Sequence, residues 1–254
     1  MKFIEKGKEP LSLSVFIEKE QQANIHPSYR NLDKEVINDL NDSLLKEQGY
    51  LCCYCMEEIG LNSLRREHFL PQSRFKSEEL NYSNIFAACH FSSGLPPDQQ
   101  HCDIKKGNLL IPKYILDPKC SDYFRYNRSG EILPYGDLKR YRDYYNNFNK
   151  LNPEQQAILS TIEILNLNAE RLKTKRQHFI LPLLQNINGF SKVQIEQKIE
   201  DYKTTDSFGK LKRFCGVAIY ILEEYLKKNV ADFLSHHSFF LAYYLDQTLY
   251  CLPL

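Results

Sequence analysis

Two cysteines at C-x-x-C spacing, followed by a second and wider pair, constrain this chain more than any other feature. Cys52 and Cys55 lie in one short segment, and Cys89 and Cys102 follow within about fifty residues. C-x-x-C spacing lets two thiolates from one tight turn take adjacent corners of a tetrahedron around Zn²⁺. The twelve residues between Cys89 and Cys102 are rich in Gly, Pro and polar side chains, as in a loop between two ligands. The sequence therefore predicts a structural Zn²⁺ site with four protein ligands and no open position.

Other interpretations of these cysteines stay open at this point. Cys53 could replace Cys52, and His90 or His101 could replace a cysteine ligand. The cysteines could also be buried free thiols, which are common in protein cores. A secreted disulfide scaffold is disfavoured, because the chain is long and its first residues lack the apolar region of a signal peptide. With no apolar run of the ~18–20 residues that a membrane span needs, we expect a cytoplasmic protein.

Three regions are predicted along the 254 residues. Residues 1–45 form the first region, an arm and a helix. The arm is predicted to be irregular over 1–30, because Pro10 and Pro27 interrupt regular structure. The helix is predicted over 31–48, with Asp33 or Asn31 as its cap. Residues 46–150 contain the cysteines and, within 117–134, two short β-prone runs that predict a hairpin.

The third region, residues 151–254, is predicted to be helical. Asn152-Pro153 supplies a capping residue and a first-turn proline, and a second helix begins at Asn168 or Ala169. Periodicity predicts further helices over 191–203 and 208–228. An aromatic stretch at 230–250 is expected to pack into the core or to dock a partner.

Between the two cysteine pairs lies the dipeptide Glu67-His68. Hydrolysis of a phosphodiester needs a base to activate water and a cation to stabilise the leaving oxygen, and a carboxylate beside a histidine can provide both. Neighbouring side chains on a strand point to opposite faces, so the backbone must bend for the two to act together. A surface ion pair is the ordinary alternative for a lone Glu-His dipeptide.

The order of the motifs around this dipeptide resembles that of the HNH (ββα-metal) endonucleases. Their pattern is C-x-x-C, an acidic residue with His and a following Pro, an Asn, and a second cysteine pair that leads to Lys. Here it is matched over about sixty residues by Cys52/Cys55, Glu67-His68 with Pro71, Asn84, Cys89, and Cys102-Asp103 with Lys106. The resemblance implies an α+β fold, with a small zinc-stabilised ββα-metal nuclease core and a mainly α-helical C-terminal region.

The resemblance also assigns roles to these residues. It makes His68 the general base, places Mg²⁺ or Mn²⁺ on Glu67 and Asp103, and gives Asn84 the task of orienting the backbone and the His68 ring. Lys106 would contact phosphate. Asp103 departs from the more usual Asn or His, and the long insertion before Cys102 is a second departure.

Substrate binding would depend on local basic clusters or on a partner, because the formal net charge is only +1. Arg66 and Arg74 flank the histidine and are candidate phosphate contacts; solvated surface charge is the alternative. The basic run 171–176 is expected to be solvated.

Diffuse features along the chain narrow the resemblance to the HNH subunits of Septu-type and retron-associated antiphage systems, the PtuB family. These features include Ile4-Glu5-Lys6-Gly7 and the run from Thr161 to Asn168. The resemblance implies DNA or RNA, including tRNA, as substrate, a PtuA-like ABC-type ATPase as partner, and a possible retron reverse transcriptase and msDNA complex. The alternative is a non-catalytic zinc module that binds nucleic acid or protein.

Overall fold

The computed structural model describes residues 1–227, and the predicted aromatic stretch at 230–250 lies outside them. The fold combines many helices with two small antiparallel sheets, β1–β2 and β3–β4. The strands are β1 (Leu64–His68), β2 (Ile85–Cys89), β3 (Phe124–Tyr126) and β4 (Ile132–Pro134). The helices are α1 (Leu11–Gln22), α2 (Lys34–Glu47), α3 (Cys102–Lys106), α4 (Cys120–Tyr123), α5 (Tyr141–Asn146), α6 (Pro153–Ile164), α7 (Glu170–Asn186), α8 (Lys192–Lys203) and α9, which begins at 215 and extends to the last described residue.

Helix α1 occupies much of the segment that was expected to be irregular, so that prediction was wrong over residues 11–22. Pro10 directly precedes the first helical residue, where a missing backbone N–H costs no helical hydrogen bond, and Pro27 lies beyond the helix end. The prolines thus flank a helix and do not interrupt it. Leu13 is fully buried and fixes α1 to the core.

The predicted second helix is confirmed as α2. Asp33 caps it, since its carboxylate accepts a hydrogen bond of 2.9 Å from the Val36 backbone N–H. The chain leaves α2 through Gly49, whose φ of +61° is in the left-handed region. A Cβ added there would lie 2.6 Å from Leu211, so glycine is required by both conformation and space.

Strands β1 and β2 form an antiparallel pair, and α3 packs on β2. In this register Glu67 pairs with Phe86, and His68 pairs with Ile85. All five residues of β2 are buried, so the strand lies inside the hydrophobic core. The chain order is therefore strand, strand and short helix across the segment that holds the Glu-His dipeptide and Asp103.

The predicted hairpin is confirmed as β3–β4. Its turn contains Gly130, which has a φ of +78° and lies so close to α7 that an added Cβ would stand 2.1 Å from the Lys173 carbonyl oxygen. Arg176 is buried and donates to the carbonyl oxygens of Gly130, at 2.6 Å, and Leu167, at 2.7 Å. The prediction of solvation was therefore wrong for Arg176, which joins the hairpin to α7.

The helices after residue 150 share one hydrophobic core with the rest of the chain. Leu40 of α2, Phe86 of β2, Ile162 of α6 and Phe214 before α9 belong to the same buried cluster. Asn152 caps α6 in a reciprocal capping box, as the sequence predicted. The three-region division of the chain stays a prediction. Within residues 1–227 we find no helix with the length and apolar character needed to cross a bilayer.

Candidate active site and metal centre

The structure brings Cys52, Cys55, Cys89 and Cys102 into one buried group, the four-cysteine cluster, with all sulfur atoms within 4.8 Å of one another. The Sγ atoms of Cys52 and Cys102 are 3.9 Å apart, and those of Cys55 and Cys89 are 3.8 Å apart. Four sulfurs at 2.3 Å from a tetrahedral Zn²⁺ would be separated by about 3.8 Å. The cluster could therefore bind a metal ion such as zinc, and its sulfur separations are far longer than a disulfide bond.

The alternative ligands lie near the cluster without belonging to it. The backbone N–H of Cys53 donates to the Ala87 carbonyl oxygen at 3.0 Å, which fixes the C-x-x-C turn against β2. His101 is buried beside the cluster, with its Nδ1 3.3 Å from the Sγ of Cys102. Burial lowers the pKa of His101 to about 4, so its ring is neutral at pH 7. His90 lines the cleft described below.

The second half of the cluster is held by the helical region, which the sequence did not indicate. The Cys102 backbone N–H donates to the Leu165 carbonyl oxygen at 2.9 Å. The Asn166 side chain donates at 2.8 Å to two backbone carbonyl oxygens in the insertion between the cysteines, and Arg171 donates to a third, that of Phe91. The end of α6 and the start of α7 thus give this insertion a fixed path.

Glu67 is buried, and its Oε1 atom accepts hydrogen bonds from two neighbours. The Tyr54 hydroxyl donates at 2.8 Å and the Lys106 ammonium at 2.6 Å. Burial, together with the adjacent Asp103 carboxyl, raises the pKa of Glu67 well above its ordinary value, while Lys106 opposes the shift. The Lys106 side chain has 0% exposure and also donates to the His68 carbonyl oxygen at 3.2 Å. The Lys106 ammonium is thus enclosed against Glu67, and its predicted contact with phosphate stays a prediction.

Asp103 stands on α3 beside Glu67, although thirty-six positions separate the two residues in the sequence. Its side chain is 10% exposed, and its Oδ2 forms an ion pair with Nε of Arg65. Within residues 1–227 this buried oxygen accepts no hydrogen bond of good geometry. Two carboxyl groups and two basic side chains therefore meet at the end of the β1–β2 sheet.

His68 is the last residue of β1, and neighbours contact its ring from several sides. Its Nε2 lies 2.9 Å from the Glu79 carbonyl oxygen, and the Gln72 amide nitrogen lies 2.9 Å from Nδ1 and 3.0 Å from Nε2. The Tyr29 ring stands perpendicular to the imidazole, with centroids 4.6 Å apart. Burial lowers the pKa of His68, which favours the neutral ring at pH 7.

Asn84 acts on the loop after β1. Its Oδ1 accepts from the Leu70 backbone N–H at 2.7 Å, and its amide donates to the carbonyl oxygens of Leu70 and Glu78, each at 3.0 Å. The next carbonyl, that of Glu79, is the one that contacts the His68 ring. Asn84 is therefore bonded to the backbone next to the carbonyl that contacts His68, and its role in orienting that ring stays a prediction.

Glu67, His68 and Asp103 open onto one cleft of about 1210 Å³. The cleft is also lined by the basic side chains of Arg30, Arg65, Arg66 and Lys76. Arg74, a predicted substrate contact, is exposed outside this lining, with its guanidinium over the Phe75 ring. Sequence reasoning missed Tyr29 and Arg30, because no motif or periodicity marks the segment that carries them.

Comparison with known proteins gives two relatives, while no protein-family model matches the chain. The "Retron Vc95 putative HNH endonuclease" of Vibrio cholerae is 26% identical over 154 residues, covering 59% of this chain and 66% of the relative. The "Retron Ec83 putative HNH endonuclease" of Escherichia coli is 27% identical over 189 residues, covering 60% of this chain and 69% of the relative. The chain thus spans about two thirds of the length of the curated relatives that it matches. Taken with the motif order around Glu67-His68, these relatives support the resemblance of the chain to the HNH endonuclease family.

Proposed function

We propose that this protein is a metal-dependent endonuclease that hydrolyses phosphodiester bonds of DNA or RNA. The observation that carries the proposal is the meeting of two buried carboxyl groups, Glu67 and Asp103, with the His68 ring in one cleft with basic walls. We further propose that β1, β2 and α3 constitute a ββα-metal core, and that the four-cysteine cluster binds Zn²⁺ as a structural element.

The carboxyl pair has the chemistry of a site for a hard divalent cation. Its donors are oxygens, as Mg²⁺ and Mn²⁺ prefer. The raised pKa of Glu67 reflects burial beside a second carboxyl, an unfavourable arrangement that a cation would relieve. The Oδ2 of Asp103 forms an ion pair with Arg65 but accepts no hydrogen bond of good geometry among the described residues. When bound, Mg²⁺ or Mn²⁺ would stabilise the negative charge on the leaving oxygen.

His68 is suited to accept a proton from the attacking water. If its Nε2–H donates to the Glu79 carbonyl oxygen, the ring tautomer leaves the lone pair on Nδ1. A neutral imidazole with one fixed nitrogen is the form that a general base requires. The Gln72 amide nitrogen lies at similar distances from both ring nitrogens, 2.9 Å from Nδ1 and 3.0 Å from Nε2, so it does not by itself select the tautomer.

The remaining roles follow from burial and position. We propose that Lys106 orients Glu67, because its ammonium is enclosed and hydrogen-bonded to the carboxylate. Arg66 lies in the cleft wall and is the better placed of the two predicted phosphate contacts. Arg74 remains a proposed contact only for substrate that extends beyond the cleft.

The test is cleavage of duplex DNA, single-stranded DNA and tRNA by the complete protein in Mg²⁺ or Mn²⁺. We expect His68→Ala to abolish cleavage while the zinc content stays unchanged. His178→Ala is the matched control, because His178 is exposed on α7 outside the cleft lining. Cleavage that survives in His68→Ala would sink the proposed mechanism.

One observation favours a second candidate, a non-catalytic zinc module. Each carboxyl group of the pair already has a basic partner, Lys106 for Glu67 and Arg65 for Asp103. On this alternative, titration with Mn²⁺ would detect no cation site besides the zinc, and Glu67→Gln with Asp103→Asn would leave function intact. On the nuclease proposal, the same double variant loses both Mn²⁺ binding and cleavage.

The partners of this chain are proposed from the names of its relatives and from the sequence resemblance. Both relatives carry retron names, so we propose that this chain works beside a retron reverse transcriptase and its msDNA. The further partner, a PtuA-like ABC-type ATPase of a Septu-type antiphage system, rests on the sequence resemblance. Co-purification of the chain with these candidate subunits, followed by phage challenge of cells with and without His68→Ala, tests both proposals.

A further inference from the structure

We infer that Tyr29 is a positioning residue of the candidate active site, where it links the cleft arginine Arg66 to the His68 ring. Tyr29 precedes the first cysteine pair and lies outside the segment that resembles HNH nucleases. The inference rests on the proposed nuclease function for its catalytic part.

Tyr29 is held firmly by its own surroundings. It begins a single 3₁₀ turn, Tyr29–Asn31, whose preceding Ser28 accepts a hydrogen bond from the Arg30 backbone N–H. Leu32 follows and is buried, and Asp33 then caps α2. Because this turn leads directly into a capped helix with a buried face, the Tyr29 side chain is presented to the cleft from a fixed base.

The Tyr29 hydroxyl fixes one side of Arg66. It accepts a hydrogen bond from Nε of Arg66, while Nη1 of Arg66 donates to Oδ1 of Asn41 on α2 at 2.9 Å. Within the described chain these bonds leave the second terminal nitrogen of the guanidinium free to donate to a phosphate. An arginine that is already ordered loses less side-chain entropy when it binds its ligand. The hydroxyl should therefore strengthen substrate binding through Arg66.

The Tyr29 ring contacts the candidate base directly. It stands at 87° to the His68 imidazole, with centroids 4.6 Å apart, which is a favourable edge-to-face geometry. The Glu79 carbonyl oxygen and the Gln72 amide contact the ring nitrogens, but these polar contacts alone still permit the imidazole to tilt. Perpendicular packing by Tyr29 restricts that tilt of the imidazole. The ring and the hydroxyl of Tyr29 thus have separable effects.

The hydroxyl is tested by a double-mutant cycle of Tyr29→Phe and Arg66→Gln in the complete protein. Binding of fluorescein-labelled duplex and single-stranded DNA is measured in Ca²⁺, so that turnover is not required. We expect Tyr29→Phe to weaken binding by about three- to tenfold, the usual effect of one hydrogen bond. The effect should vanish in the Arg66→Gln background, because both changes remove the same contact. Additive effects, or unchanged binding in Tyr29→Phe, would overturn the inference.

The ring is tested by steady-state cleavage. Tyr29→Phe should raise KM while kcat stays within about twofold, whereas Tyr29→Leu should also lower kcat about tenfold, as expected for a displaced base. Tyr123→Phe is the control, since it removes another tyrosine hydroxyl, one bonded to Asp117 at 2.6 Å outside the cleft lining. Equal kcat values for Tyr29→Phe and Tyr29→Leu overturn the role of the ring.

The two proposals fail in different ways. If the protein binds DNA with the expected coupling between Tyr29 and Arg66 but never cuts it, the nuclease function is refuted and the link between Tyr29 and Arg66 is retained. A protein that cuts DNA without such coupling refutes only the link. Absence of DNA binding by the complete wild-type chain at low salt overturns both.

Discussion

Replacement of Lys106 by methionine tests how much the buried ion pair between Lys106 and Glu67 contributes to stability. The Lys106 side chain has 0% exposure, and its ammonium lies 2.6 Å from Glu67 Oε1. Methionine fills a similar volume without the charge, so the change leaves Glu67 as an unpaired buried carboxylate. Breaking a buried ion pair in this way costs about 3–5 kcal/mol. We expect the low end, about 3 kcal/mol, because Glu67 can take up a proton and keep its bond to Tyr54.

The assay is thermal and denaturant unfolding of zinc-loaded protein. For a chain of this size, about 3 kcal/mol corresponds to a fall in Tm of about 6–12 °C. Lys105→Met, on the same helix, is the matched control, because the Lys105 ammonium is exposed on the Pro97 carbonyl oxygen. It should change stability by less than about 1 kcal/mol. Glu67→Gln combined with Lys106→Met should be more stable than Lys106→Met alone, since neither buried charge remains.

The stability loss in Lys106→Met should depend on pH in a definite direction. The pKa of Glu67 is raised in the folded chain above its ordinary value of 4.5. Its contribution to stability is therefore fully present below pH 4.5 and is lost as the pH rises through the folded-state pKa. Loss of Lys106 raises that pKa further, so the variant should approach wild-type stability on acidification. A variant of wild-type stability that instead binds DNA weakly, with a shallower salt dependence, would refute this reasoning and restore the phosphate contact.

Four further outcomes are expected. Cys55→Ser should lower zinc content and melting temperature together, because the binding free energy of a structural metal is folding free energy; unchanged zinc content would count against the four-cysteine site. Asn84→Ala should cost about 1–3 kcal/mol by leaving loop backbone groups unpaired, and should lower kcat; an unaltered kcat would remove its link to His68. Gly130→Ala should destabilise by more than about 2 kcal/mol in unfolding experiments, because a Cβ meets α7 backbone at a positive φ. Since burial lowers the pKa of His68, the acid limb of the cleavage rate should lie below pH 6.5, and a midpoint above that value would contradict a neutral buried base.

The sequence by itself was most informative where spacing is short. The Cys52–Cys55 spacing indicated a metal-binding turn, and Asp33 and Asn152 indicated helix starts that the structure confirms. Local rules suffice in such cases, because a cap or a C-x-x-C turn is completed within a few residues. The same rules misjudged α1, where prolines that flank a helix were taken as signs of irregular structure.

Tertiary structure decided what each charged side chain does. Lys106 and Arg176 look like surface cations in the sequence, but they are buried and bonded to Glu67 and to backbone carbonyls. Tyr29 became a neighbour of His68 only because a turn before α2 packs across the end of β1. Sequence spacing predicted which residues would hold a metal or accept a proton. Which of them share a cleft, and which charges are enclosed, depended on contacts between distant segments, because burial and neighbouring charge are properties of the folded chain.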